Sequence, residues 1–218
     1  MQRLIVAITG ASGAIYGVKT LQVQRTAGGV EVHLVISPSA ARTLLAETDF
    51  TIEDLRTLGD VVHNHQDIGE SIASGSFRTE CMVVVPCSVK SLSGISNCYD
   101  EDLIVRAADA CLKEGRRLVL MLRETPFHAG HISLMEQATR MGVIIMSPIP
   151  SFYNHPKSMG DMVSQSVGRM LDLFDLAGDM VARWTGTAPV SISEFGPIVK
   201  DRPAPMHPAW NSHSLPSK

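Results

Sequence analysis

Apolar and polar positions along this chain switch repeatedly between two periods. Leu4, Ile5, Val6, Ala7 and Ile8 form an unbroken apolar run, the pattern of a strand buried on both faces of a parallel sheet. Similar runs at 30–37, 82–85, 118–122 and 143–146 predict four more strands. Between them the apolar spacing is helical at 14–26, 39–46, 102–114 and 130–141, with Leu103, Ala107, Ala110 and Cys111 inward in the third and Gly142 closing the fourth. Thr51 to Asp54 has the form of a capping box and predicts a short helix. Ser158 caps a long amphipathic helix to about residue 175, whose stripe is Met162, Val163, Val167, Met170, Leu171 and Phe174. Residues 59–79 are polar and Gly/Ser-rich and predict a functional or lid loop. Strands alternating with helices predict a three-layer α/β fold, a doubly wound parallel sheet of Rossmann/flavodoxin-like kind with right-handed crossovers.

Composition narrows the class. A length of 218 residues with 44% hydrophobic content fits one domain over 1–185, followed by a Pro-rich tail at 186–218 that is extended or disordered. A net charge of −3 provides no footprint for nucleic acid. Cys81, Cys87, Cys98 and Cys111 form no CxxC pair, which suits a reducing compartment. The chain enters a strand at once, without a signal segment, and no apolar run approaches the roughly 20 residues that span a bilayer. A cytoplasmic protein with no membrane span is the expectation.

Candidate chemistry clusters where the topology places it. In doubly wound sheets ligands sit at the carboxyl ends of the strands, which selects residues 10–13, Ser37, residues 86–91 and the Arg123-Glu124 pair as neighbours. Gly10, Gly13 and Gly17 follow G-x-x-G-x-x-x-G rather than the dinucleotide fingerprint. Glycines admit a ligand close to the backbone and a helix N-terminus favours negative charge, so the turn is either a phosphate or flavin-edge site or a plain strand-to-helix turn. A charged pair at the mouth of a buried strand, before Thr125-Pro126, is unusual, although a surface ion pair would also account for it. Arg106 and Lys113 stand seven residues apart on one helix face. Arg169 lies among Val167, Met170 and Leu171, where its charge needs a partner or an anion. His63-x-His65 and His128-x-x-His131 lack a third ligand and read as surface or capping residues rather than a metal site. The cysteines read as core, and the eleven methionines as packing or subunit contact.

Four ordered segments, TGASGAIYG, VVVPCSVKSLSGI, LIVRAADACLKEGRRLVLMLRETP and SFYNHPKS, resemble the flavin prenyltransferase family, formerly described as the small subunit of aromatic-acid decarboxylases. The resemblance covers residues 3–184. SGSFRT and FYNHPKS resemble the branch that accompanies phenolic or hydroxybenzoic acid decarboxylases. It implies transfer of a dimethylallyl group from dimethylallyl phosphate to N5 and C6 of reduced FMN, without a metal, and delivery of the prenylated flavin to a separate decarboxylase. It further implies FMN held by Gly10, Ala11, Ser12, Ser37, a turn of Ser88, Val89, Lys90 and Ser91, and Arg123. The allylic phosphate would lie against Lys113, Tyr153 and Arg169 with Arg106 nearby. Glu124 would be the acid/base, Glu47 and Ser12 would flank the reacting flavin edge, and Trp184 would wall the prenyl site. The family forms large homo-oligomers with sites at subunit boundaries. One departure stands out: where the family often has Asp-Asn before Leu-Ile-x-Arg, this chain reads Asn97-Cys98-Tyr99-Asp100-Glu101-Asp102.

Two rivals deserve weight. An NADP-dependent short-chain reductase would use Tyr153 and Lys157, but Pro156 between them costs about 3 kcal/mol in a helix interior. Another FMN-binding protein, a cysteine decarboxylase or a carrier, would tolerate loss of Glu124.

Overall fold

The computed structural model describes residues 2–178, 180, 181 and 183–186. Six strands form one parallel sheet: β1 (Gln2–Ile8), β2 (Val30–Ile36), β3 (Val61–His63), β4 (Cys81–Cys87), β5 (Arg117–Leu122) and β6 (Ile144–Ile145), in the order β3-β2-β1-β4-β5-β6. The helices are α1 (Ala14–Ala27), α2 (Pro38–Glu47), α3 (Ile52–Leu58), α4 (Val89–Ser96), α5 (Leu103–Lys113), α6 (Ala129–Arg140) and α7 (Met159–Asp172). The chain winds outward from β1 to β3, then crosses to β4 on the other side of β1. That reversal between β1 and β4 is the topological switch point.

Alternation along the strands builds two cores. Leu4, Val6 and Ile8, with Val83 and Val85, face α1, α2, α3 and α7 through Val18, Leu21, Leu44, Leu55 and Met170. Ile5, Ala7, Met82 and Val84 face α4, α5 and α6 through Leu92, Ile95, Leu103, Ala107 and Ala138. All seven residues of β4 are buried, as a central strand covered on both faces requires. Gly17 lets α1 lie directly on β4, because a Cβ there would stand 2.7 Å from the Val85 carbonyl oxygen.

Three predicted details differ. The polar stretch 59–79 contains the edge strand β3 and a 3-10 turn (Ser71–Ala73). Within it His63 is buried rather than on the surface, because β3 pairs with β2 and its ring meets His33. The segment after Ser88 is the first turn of α4, not a free turn; its Ser/Gly composition hid a helix that buries Leu92 and Ile95. Tyr153 lies outside any helix, which removes the short-chain reductase geometry. Cys81, Cys87 and Cys111 are buried free thiols while Cys98 is exposed. Residues 1–183 form one compact unit; of a second, 184–218, only 184–186 are described, so the predicted tail lies outside the described residues. Among the described residues no helix is long and apolar enough to cross a membrane.

Candidate functional site

Thr9 pins the switch point open. Its hydroxyl donates to the Pro86 carbonyl at 2.8 Å and accepts from the Ser88 N–H at 2.8 Å. The loops after β1 and β4 are thereby fixed to each other as they leave the sheet. Gly10 follows, and a Cβ there would stand 2.3 Å from Ser39 Cβ, so the first loop lies against the start of α2 only because it has no side chain. Gly13 caps α1 with φ 96°, a left-handed conformation suited to glycine.

The first helix N-terminus is not an open anion site. Glu47 Oε2 accepts from the N–H groups of Gly13 at 2.7 Å and Ala14 at 3.1 Å. Burial alone would raise this carboxyl, but hydrogen bonds from Ser12, Gly13 and Ala14 and the charge of Arg123 outweigh it and hold it below the usual range. The structure therefore brings Ser12, Glu47 and Arg123 together, with an internal carboxylate at the N-terminus that the sequence left open as a phosphate site, a flavin-edge site or a plain turn.

Two helix N-termini beside it, those of α2 and α4, are capped by the neutral hydroxyls of Ser37 and Ser88, and that of α5 by the Asp102 carboxylate. All three residues line one cavity of about 610 Å³ together with Thr9, Gly10 and Ser91. Helix N-termini favour anions, and the volume lies within the roughly 300–1,000 Å³ of small-molecule sites. Lys90 stands at the rim, its ammonium 3.3 Å from Glu101 and 3.6 Å from Asp102. Asp102 is desolvated, which raises its carboxyl, but hydrogen bonds from His65 and the Val105 N–H win and keep it below the usual range. Glycine-edged backbone, hydroxyls and helix N-termini suit a phosphorylated flavin.

Strand β5 delivers its charged pair to the same edge. The Arg123 N–H donates to the Cys87 carbonyl at 3.0 Å. Its charge pulls down the Tyr16 hydroxyl, whose proton affinity burial raises overall. Glu124 is half-buried, and its Oε1 accepts from the N–H of Thr125 at 2.9 Å. The Cys87 thiol nearby is pushed up to about 12 by burial and stays protonated, a packing group.

The residues expected to clamp the phosphate are each engaged with a near neighbour. Lys113 ends α5 and pairs with Glu114 at 3.2 Å, whereas the start of that helix lines the cavity. Eleven residues at about 1.5 Å rise separate the two by about 16 Å. Arg106 is paired to Asp100 and Asp109, both at 3.0 Å. Arg169 is paired to Asp172, which also receives Arg183. Tyr153 accepts from Gln165 Nε2 at 3.1 Å, and Gln165 stands one helical turn before Arg169 on α7. Trp184 falls in the second unit.

The cavity also draws on Thr9, His65, Gln66, Glu101 and Asp102; these lie in the β1 turn, the predicted functional loop 59–79 and the departing segment 97–102, but were not named singly as ligand residues. Asp102 was legible as an N-cap before an apolar helix. His128 accepts from the Gly130 N–H at 3.0 Å and caps α6. Among the described residues no cluster of three or more His, Cys, Asp or Glu could hold a metal ion.

Residues 1–172 match the family model described as Flavoprotein. The chain is similar to flavin prenyltransferase UbiX of Escherichia coli (strain K12), 53% identical over 188 residues that cover 85% of this chain and 100% of that protein. Among solved structures it is similar to AnUbiX (PadA1) in complex with FMN and dimethylallyl pyrophosphate, with TM-score 0.83 and 48% identity over 86% of this chain and 99% of that one. It is equally close in fold to a dodecameric FMN-dependent Ubix-like decarboxylase from Escherichia coli O157:H7, with TM-score 0.83 and 46% identity over 85% and 100%. With the glycine turn, the α4 cap and the Arg123-Glu124 pair in these positions, this chain belongs to the flavin prenyltransferase family.

Proposed function

We propose that this protein transfers a dimethylallyl group from dimethylallyl phosphate to reduced FMN, and that the prenylated flavin serves a separate aromatic-acid decarboxylase. The observation that carries the reading is the meeting of Ser12, Glu47 and Arg123 at the switch point, beside a cavity walled by the capped starts of three helices. Reduced FMN, when bound, supplies an electron-rich ring to the allylic carbon.

The chain's own residues do the rest. Gly10, Ala11, Ser12, Ser37, Ser88, Val89, Lys90, Ser91 and Arg123 hold the flavin, with backbone and hydroxyl donors toward its phosphate. Glu124 protonates the departing phosphate oxygen and later takes up the proton released at flavin C6. Glu47 keeps a fixed negative charge at the reacting edge, where positive charge develops on the prenyl group. Lys113, Tyr153, Arg169 and Arg106 clamp the allylic phosphate.

Because Lys113 lies about 16 Å of helix away from the cavity in its own subunit, we assign the clamp at each site to a neighbouring copy in a large homo-oligomer. A dodecameric relative supports that assembly. Four free thiols fit a cytoplasmic location. Residues 186–218 are assigned as a tail outside the catalytic domain.

The reaction is tested by anaerobic incubation with reduced FMN and dimethylallyl phosphate, reading inorganic phosphate. Release that requires both enzyme and flavin supports the proposal; release without flavin marks a phosphatase and rejects it.

A further inference from the structure

The candidate flavin cavity carries an unexpected balance of charge for a phosphate site. Of the residues that line it, Lys90 is the cation and Glu101 and Asp102 are the anions. The Lys90 ammonium is already engaged, 3.3 Å from Glu101 and 3.6 Å from Asp102. Two of the three helix starts on the cavity are closed by neutral groups. Ser37 Oγ accepts from the Ala40 N–H at 3.1 Å, and Ser88 Oγ accepts from the Ser91 N–H at 3.3 Å. A hydroxyl keeps a proton of its own, so both caps can also donate to a phosphate oxygen. The start of α5 differs. Asp102 Oδ1 accepts from the Val105 N–H at 3.0 Å, and its Oδ2 lies 3.4 Å from His65 Nε2. An ionised carboxylate only accepts, so the third cap offers a phosphate a like charge and no proton.

We propose that Asp102 tunes the affinity for phosphorylated flavin by repulsion: it turns the phosphate away from α5, leaves it to the starts of α2 and α4, and weakens its hold there. Burial raises the Asp102 carboxyl, but hydrogen bonds from His65 and the Val105 N–H outweigh it, so the group is ionised at neutral pH. The side chain is only 11% exposed, which limits screening by salt. Its charge also engages Lys90, whose ammonium would otherwise be freer to turn to a phosphate. Both effects lower affinity for an anion. A protein that makes a flavin for use elsewhere has to release its product, and that product keeps the phosphate of FMN. Asp102 is a specificity-determining residue in this scheme, and its assignment to flavin rests on the function proposed above.

The test measures binding of FMN, riboflavin and inorganic phosphate to the full chain at neutral pH, in the wild type, Asp102→Asn and Asp102→Ser. Asn and Ser both cap helices well. The Leu103 N–H donates to the His65 carbonyl at 3.0 Å, a backbone bond that neither substitution removes, and melting curves check that both variants fold. FMN should bind about tenfold more tightly to either variant, the order of one screened charge–charge interaction across a ligand-sized cavity. Riboflavin, which has no phosphate, should bind as it does to the wild type. FMN should leave the variants more slowly in stopped-flow dilution, and inorganic phosphate should raise their melting temperature more than that of the wild type. An unchanged ratio of FMN to riboflavin affinity in both variants, or a ratio shifted toward riboflavin, overturns the repulsion. Tighter FMN binding with an unchanged dissociation rate overturns the role in release. Failure of the wild type and both variants to bind either flavin would reject the flavin reading. The phosphate melts would still decide the repulsion, and equal shifts in wild type and variants would overturn it.

Discussion

Glu47 and Glu124 are both glutamates at one sheet edge, and their surroundings give them different work. Glu47 is tied to three donors at the start of α1, so its contribution to stability is present at neutral pH. It is lost as pH falls through the folded-state value, which lies below the ordinary 4.5. Glu47→Ala should lower stability by about 0.5–1 kcal/mol at neutral pH, the exposed position keeping it modest. In thermal melts the gap to wild type should close as the solution is acidified below that range; a gap constant with pH would contradict the capping role. Among the described residues Glu124 accepts a hydrogen bond from the adjacent Thr125 N–H, and its acid/base role is the one proposed above. Glu124→Gln should retain FMN affinity while turnover drops about 10²–10⁴-fold, read by flavin titration beside steady-state rates. An unchanged rate would remove the acid/base assignment. The pair Arg123-Glu124 was legible because charge at the end of an apolar strand is anomalous. The capping by Glu47 was not, since a contact between residues 13 and 47 leaves no local pattern.

At the scale of elements, long apolar periodicities translated directly into structure. The runs that became β1, β4 and β5 have no polar interruption to confuse them, and the α7 stripe repeats at helical spacing. What escaped were β3 and α4. Strand β3 is three residues at an edge, stabilised by tertiary pairing of buried histidines rather than by its own propensity. Helix α4 carries three serines and a glycine in eight residues, weak helix formers that are helical here because Leu92 and Ile95 are buried. Loop geometry at the switch point depends on close approach, which makes Gly10→Ala informative. Its Cβ would meet Ser39 Cβ at 2.3 Å and the Ser39 backbone at 3.1 Å, forcing the β1 loop away from α2. A loss of about 1–3 kcal/mol in stability is expected, with weaker FMN binding measured by fluorescence quenching. Wild-type affinity and melting would show that the close approach is dispensable.

For the whole molecule, the proposed supply of the phosphate clamp by a neighbouring copy has the largest consequence. Along α5, Lys113 stands about 16 Å from the Asp102 end that lines the cavity, whereas Arg106 is one turn from that end. If the clamp is supplied by another copy, Lys113→Ala and Glu124→Gln subunits are each nearly inactive alone. Mixed oligomers formed by dissociation and reassembly should then regain a measurable fraction of wild-type rate, because some sites combine intact halves. No recovery in oligomers verified to be mixed would place both functions in one subunit. The central claim, prenyl transfer to the flavin, is tested most directly by the mass of the flavin released after anaerobic incubation with reduced FMN and dimethylallyl phosphate. The account predicts a five-carbon adduct that forms only when the protein is present. Bound but unmodified FMN, with the monophosphate and the diphosphate both supplied, would contradict it.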